Sequence, residues 1–166
     1  MALNALMQIS SATGESKQKD FPGWIELQGW DWEVECESSW TKGSGASVGK
    51  PNPGKMNWEH YFDTSSTTLL KFMCSGQAFE TITLVMQKAT GGEKGQQVYF
   101  KMTMKGAFIT KVSNTATDEG NVVQKVEMVF KDVEFRYQAQ DDSTGKLSGG
   151  EKVFGWNIPS GELRGA

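Results

Sequence analysis

In "NVVQKVEMVFKDVEFRYQ", residues 121–138, the apolar side chains change parity partway along: Val122, Val126, Met128 and Phe130 are even-numbered, whereas Val133, Phe135 and Tyr137 are odd. A β-strand buries every second residue, so it can change the face it buries only through an extra residue or a bend. "IELQGWDWEV" does the same, with Ile25 and Leu27 in one register and Trp30, Trp32 and Val34 in the other, across Gln28 and Gly29. A β-bulge, or a bend carrying the strand from one sheet into the next, satisfies both, and Gly29 suits either. Two such switches in long strands point to a barrel or an orthogonally packed sandwich rather than a flat sheet.

The rest of the chain agrees with an all-β reading. "VYFKMTMK" puts Val98, Phe100, Met102 and Met104 on one face and Tyr99, Lys101, Thr103 and Lys105 on the other. "ITLVM" aligns Ile82, Leu84 and Met86, and the Gly-rich "TGGEKGQQ" joins the two as a turn. One short helix is expected in "SSTTLLKFMCSG", with Ser65 or Ser66 as N-cap, apolar Leu69, Leu70, Phe72 and Met73, and Gly76 as the stop. It is short enough to need the sheet to hold it. Segments 41–55 and 141–152 carry neither period and are rich in Gly, Ser and Lys. A loop of some fifteen residues in a compact domain usually has a use, and a partner-ordered arm is the expectation for the first.

The 166 residues are enough for a single domain over 1–166 with a sizeable core. A formal net charge of −3 argues against a nucleic-acid partner, which would favour a basic face. Cys36 and Cys74 make neither a CxxC pair nor a disulfide framework and are expected as buried free thiols. "MALNALMQIS" lacks the pattern of a secretory leader, and no apolar run approaches the ~20 residues that cross a bilayer, so no membrane insertion is expected.

The search for chemistry returns little. His60, the single histidine, sits in "MNWEHYFD" with no nucleophile motif and no second metal ligand at a suitable spacing, and is read as structural. "GSGASVGKP" fails as a phosphate loop, because five residues separate Gly43 from Gly49 and Pro51 follows Lys50 where Ser or Thr should hold magnesium. Asp31, Glu33, Glu35 and Glu37 fall at period two, roughly 7 Å apart along an extended strand, a spacing that paired acid–base chemistry uses. The same spacing arises whenever a strand turns its outer face to water or to neighbouring lysines, and that reading is preferred. Of the six tryptophans, Trp30 and Trp32 read as core, whereas Trp24, Trp40 and Trp156 lie at element edges, where an interface or a ligand platform would use them. No catalytic residue, cofactor or metal is expected.

Taken in order, "GESK", "IELQGWDW", "DTSSTTLLKFMCSGQAF", "KATGG", "VYFKMTMKGAFITKVS", "EMVFKDVEFRYQAQ" and "VFGWNI" make a collinear set over residues 7–158 that resembles the haemolysin-coregulated protein family, the inner-tube subunits of type VI secretion systems. The resemblance implies a compact barrel of two antiparallel sheets with one helix alongside. It implies hexameric rings of the chain itself, stacked into a tube, with a spike protein and a contractile sheath as partners and small effector proteins held and chaperoned in the lumen. It implies assembly in the cytoplasm and export without a cleaved signal peptide. Segment 41–55 would be the extended loop that reaches an adjoining ring, through Lys42, Gly43, Gly45, Val48, Lys50, Pro51 and Lys55, and 153–158 the C-terminal strand. Asp31, Glu33, Glu35, Trp24 and Trp156 are candidates for a ring interface or the lumen surface. Phe21-Pro22-Gly23-Trp24 is more apolar than the family pattern, and Asp31 and Glu33 stand where it has small residues. Some relatives carry a toxic domain after the tube module; with the chain stopping at Ala166, none is expected here. The alternative without the resemblance is a monomeric β-sandwich binding module for a carbohydrate or protein ligand.

Overall fold

Both parity switches correspond to breaks in regular pairing. The computed structural model describes residues 3–37, 49–90 and 95–165. β2 (Ile25–Asp31) pairs antiparallel with β5 (Met56–Tyr61), and the register jumps between Leu27↔His60 and Gly29↔Glu59, leaving Gln28 as the extra residue. The other switch divides the chain into β8 (Val122–Val129) and β9 (Asp132–Tyr137), with a bend at Lys131.

β7 (Gln96–Ala116) is the element around which the rest is arranged. Its first half pairs with β6 (Phe79–Ala89) on one side and with β9 on the other, and its second half pairs with β8. With β1 (Ala5–Ile9) between β2 and β6, and β5 between β2 and β8, the strands close as β7-β6-β1-β2-β5-β8 and back to β7. Closure removes the free edges that an open sheet of this size would expose. The two sheets of the barrel therefore run into each other through bent strands. β9, β10 (Lys152–Asn157) and β11 (Leu163–Gly165) extend the sheet outward from β7, and β11 is its outer edge. A separate two-stranded ribbon pairs β3 (Val34–Glu35) with β4 (Asn52–Pro53).

β7 bends by the same logic as its partner. Met102 and Met104 are buried on its even face, Ala107 and Ile109 on its odd face, and Gly106 between them has φ of +62°. A Cβ at Gly106 would meet the Lys131 side chain at 3.3 Å, and the Lys131 N–H donates to Lys105 O at 3.0 Å. The corner in β7 thus lies against the corner between β8 and β9. The interior is filled by side chains of period two, among them Met7, Ile25, Leu27, Met56, Trp58, Leu84, Met104 and Met128. Helix α1 (Ser66–Ser75) packs against β7, with Leu69 buried and Phe72 stacked on Phe79 at 4.4 Å. Ser65 is the N-cap residue, but the Asp63 carboxylate, not a serine hydroxyl of the cap, receives the Ser65 N–H at 2.9 Å. Gly76 ends the helix in the left-handed region, with N–H bonds from Gly76 to Met73 O and from Gln77 to Phe72 O.

Two expectations are corrected. The opening strand does not run on to Glu37: it stops at Asp31, so Trp32 and Glu33 lie outside regular pairing and Val34 is exposed rather than continuing a core face. Trp32 is turned aside by its indole N–H, which donates to Gly54 O at 3.1 Å, while the Gly54 N–H donates to Glu33 O at 2.8 Å. Cys36 and Cys74 are both exposed, because one lies on the ribbon and the other on the outer face of a helix that buries only one stripe.

β11 is fastened by geometry that the sequence hides. Arg164 crosses β10 over Gly155, where a Cβ would meet its guanidinium at 2.8 Å, and binds both oxygens of Asp132 at 2.6 and 2.8 Å. Arg164, by hydrogen bonding and then by charge, holds the Asp132 carboxyl below its ordinary value of 3.8 despite some burial. A carboxyl lowered in the folded state contributes stability that is fully present above its ordinary pKa and is lost as pH falls through the lowered one. Lowering the pH from about 5 to about 2 should therefore detach residues 163–165 before the barrel opens. Asp132→Asn should do so at neutral pH, seen as faster amide exchange at Arg164 and Gly165. Gly106→Ala should destabilise the fold by about 1–2 kcal/mol in a denaturant melt, because alanine is strained at positive φ.

Candidate functional site

The barrel interior is occupied by side chains, so the surfaces carry the candidate residues. Residues 33–37 and 49–52 are exposed along the two strands of the ribbon, which is held at its base by Glu33 O and Gly54 N and further out by the Gly49 N–H donating to Glu37 O at 2.6 Å. Pro53 occupies β4, an edge position that a proline tolerates because its missing N–H faces away from the ladder. Residues 38–48 lie outside the described residues, and with them Trp40, Lys42, Gly43, Gly45 and Val48. Lys50 and Pro51 are exposed on the returning strand of the ribbon. Lys55 is on the barrel, with its ammonium 3.6 Å from Glu127 on β8.

Asp31, Glu33, Glu35 and Glu37 are exposed, but the break after Asp31 means they do not form one straight ladder. Asp31 Oδ1 accepts from Asn57 Nδ2 at 2.9 Å across β2 and β5. Among the described residues none of the four joins an ion pair, so the row faces water in the isolated chain rather than lysines of its own sheet.

The tryptophans divide differently from the expectation. Trp30 stacks on Phe100 at 5.5 Å and Trp32 on Phe135 at 5.6 Å, so both are half-buried and close the gap between the end of β2 and the β7–β9 pair. Trp24 is half-buried, edge-on to Phe21 at 4.8 Å. Trp156, a candidate for an exposed interface or lumen position, is only 6% exposed, because β10 packs back on the barrel and directs that ring into the core beside Val133. It is therefore a core residue of the chain. With Trp58 buried as well, no tryptophan among the described residues offers a free platform to a sugar.

His60 is fully buried inside the barrel on β5, opposite Gln124 of β8. Its Nε2 donates to Gln124 Oε1 at 2.7 Å, and Gln124 Nε2 donates to Asn114 Oδ1 at 3.1 Å. The ring stacks obliquely on Trp58. This is a polar cross-brace within the sheet, out of reach of any substrate. Among the described residues no group of three metal-ligating side chains converges, and no helix is long and apolar enough to cross a membrane.

The turn 141–145 that opens segment 141–152 is held by Asp141, a role that composition did not show. Its carboxylate accepts from the Ser143 hydroxyl at 2.7 Å and from the Ser143 and Thr144 N–H groups at 2.8 and 2.9 Å, which together hold its pKa at about 2. The signal available in the sequence was the Asp-x-Ser-Thr-Gly turn pattern at 141–145. His60→Ala should cost about 2–4 kcal/mol in a chemical denaturation curve, from the cavity and the unpaired Gln124 it leaves, without altering assembly.

With this geometry in hand, comparison with known proteins separates fold from function. The structure superposes with a TM-score of 0.88 on a "type six secretion system protein" at 21% identity, covering 98% of this chain and 100% of that one. It matches Hcp1 from Salmonella typhimurium with a TM-score of 0.79 at 26% identity, covering 99% and 100%. A "type VI secretion system effector from Yersinia pestis" gives 0.74 at 18% identity over 93% and 100%. No curated protein matches the sequence. The sequence profile described as "Type VI secretion system effector, Hcp" matches residues 6–137, most of the barrel from β1 to the end of β9. The chain belongs to the Hcp family of type VI secretion proteins.

Proposed function

We propose that this chain is a structural subunit of the type VI secretion tube: copies join into six-membered rings, rings stack, and small effector proteins travel in the lumen. The observation that carries the reading is the family match over residues 6–137 on a barrel whose interior is filled with its own side chains. A protein built this way acts through its surfaces, which suits assembly rather than turnover of a small molecule. It is not an enzyme in this reading. Spike and sheath components are its partners in the apparatus, and it leaves the cell with the tube.

The exposed ribbon is the stacking element. Lys50 and Pro51 on its returning strand, together with Lys42, Gly43, Gly45, Val48 and Lys55 of the same segment of sequence, engage the next ring, and the pairing of β3 with β4 supports the role given to the ribbon. Asp31, Glu33 and Glu35 supply an acidic margin at the ribbon base that faces either the neighbouring subunit or the lumen. Trp24, half-buried beside Phe21, adds apolar area to the same class of contact.

Light scattering at tens of micromolar should give a mass about six times 18.3 kDa, and electron microscopy should show annular particles with a central hole. A stable monomer under those conditions would sink the assembly reading. Removal of residues 43–53 should leave rings intact while abolishing or weakening their stacking; tubes as long as those of the parent would refute the role given to the ribbon.

A further inference from the structure

On β1, Ala5 and Met7 point into the barrel, whereas Leu6 on the opposite face is paired with Val85 of β6, and both are buried outside the barrel core. Two positions further along this outer face the side chains change from apolar to carboxamide. Asn4 precedes Leu6 by two, Gln87 follows Val85 by two, and the Gln87 N–H donates to Asn4 O at 3.2 Å. Gln96, at the start of β7, accepts through Oε1 from Asn4 Nδ2. The turn 18–21, closed by the Phe21 N–H donating to Gln18 O at 3.0 Å, brings Gln18 and Phe21 to the same place. These side chains, with Lys19 and Asp20, line an open hollow of about 430 Å³, within the size range of small-molecule sites.

Gln87 Oε1 is buried in this hollow and, among the described residues, no donor reaches it. A buried acceptor without a donor is costly and uncommon, and a donor supplied by a ligand would relieve it. Asn4 and Gln96 use one donor and one acceptor on each other, which leaves Asn4 Oδ1 and Gln96 Nε2 open, and the Gln18 carboxamide makes no hydrogen bond among the described residues. Lys19 and Asp20 are exposed and opposite in sign, so the rim carries no net charge. Phe21 is half-buried, with Trp24 edge-on to it at 4.8 Å, and supplies an apolar wall.

A neutral ligand whose hydroxyls both donate and accept, and which has a C–H face to lay on an aromatic ring, matches carboxamides of this kind. That is the chemistry of a sugar. An extended peptide fits less well, because β1 and β6 are each paired on both sides and offer no free edge for a ladder. We propose that the hollow between the turn 18–21 and the β1–β6 pair binds a neutral sugar, with one hydroxyl donating to Gln87 Oε1, neighbouring hydroxyls held by Gln18 and Asn4, and a C–H face against Phe21. The site lies outside the barrel and does not depend on the ring reading.

Calorimetry and saturation-transfer NMR on the full chain test it, with glucose, galactose, mannose and N-acetylglucosamine as probes. At least one should bind with a Kd of about 1–10 mM, the strength open to a ligand of this size, and its C–H protons should receive saturation from the aromatic side chains. Gln87→Leu should weaken binding about tenfold, the effect of one lost hydrogen bond, while leaving the thermal melt unchanged or raised, because no described group relies on that oxygen. Phe21→Ala should weaken binding to a similar extent, and Phe21→Tyr should retain it. No binding of any of the four sugars by the parent would overturn the inference. So would parental binding strength in Gln87→Leu or in Phe21→Ala, which would place the sugar elsewhere. Binding of a capped tri-alanine peptide in place of the sugars would overturn the ligand class. Sugar binding by a parent that stays monomeric would uphold the site while the ring reading falls.

Discussion

The corner where Gly106 lies against Lys131 is the constraint from which the rest of the architecture follows. Two long segments, 96–116 and 122–137, run alongside each other and change their buried face at the same level. If only one bent, the shared ladder would part. Gly106 supplies a positive φ and the absence of a Cβ, and the aliphatic stem of Lys131 fills the space left there. Above the corner β7 belongs to the barrel wall with β8; below it the same strand carries both β6 and the outward extension. A single bent strand thus gives a closed body and a projecting sheet.

Closure and projection have different consequences. The closed part buries methionine, leucine and isoleucine at period two and admits one polar brace, His60 with Gln124 and Asn114, whose hydrogen bonds offset much of its burial cost. The projecting parts, the β3–β4 ribbon and the β9–β11 extension, have little core of their own. They are held by discrete clamps: Trp32 and Glu33 on Gly54 for one, Arg164 on Asp132 for the other. Elements that are paired, exposed and weakly anchored are suited to being completed by a neighbour, which is consistent with the assembly proposed above.

Much of the fold was legible because alternation is a strong signal where one face is wet. The strand that starts at Ile25, those through 82–86, 98–105 and 122–137, both changes of face and the helix stopping at Gly76 all follow from it, although the end of the first strand at Asp31 does not. A third bend, at Gly106, carried the same signature in "TMKGAFI", where buried positions move from even to odd, and the alternation of "VYFKMTMK" alone did not disclose it. β1 was hidden because a central barrel strand can be apolar on both faces, as "ALMQI" nearly is, and so shows no period. β4 and β11 were hidden because two or three residues make no pattern. Cys36 and Cys74 were misplaced because the usual burial of cysteine says nothing about a ribbon or an outward helix face.

By itself the sequence determined which residues alternate, where the alternation must break, and that its single histidine sits in no nucleophile or metal-ligand motif. Those are local properties, set by side-chain chemistry and the two-residue repeat of a strand. Only the tertiary structure decided that Trp156 faces inward while Phe154, two residues away on the same face, lies half in the open. It decided too that the acidic residues 31–37 bend away from one line, and that Arg164 reaches across Gly155 to a carboxylate 32 positions earlier. Which surface a side chain occupies depends on what packs opposite it, and that is fixed by strand order and closure, which no nearest-neighbour pattern encodes.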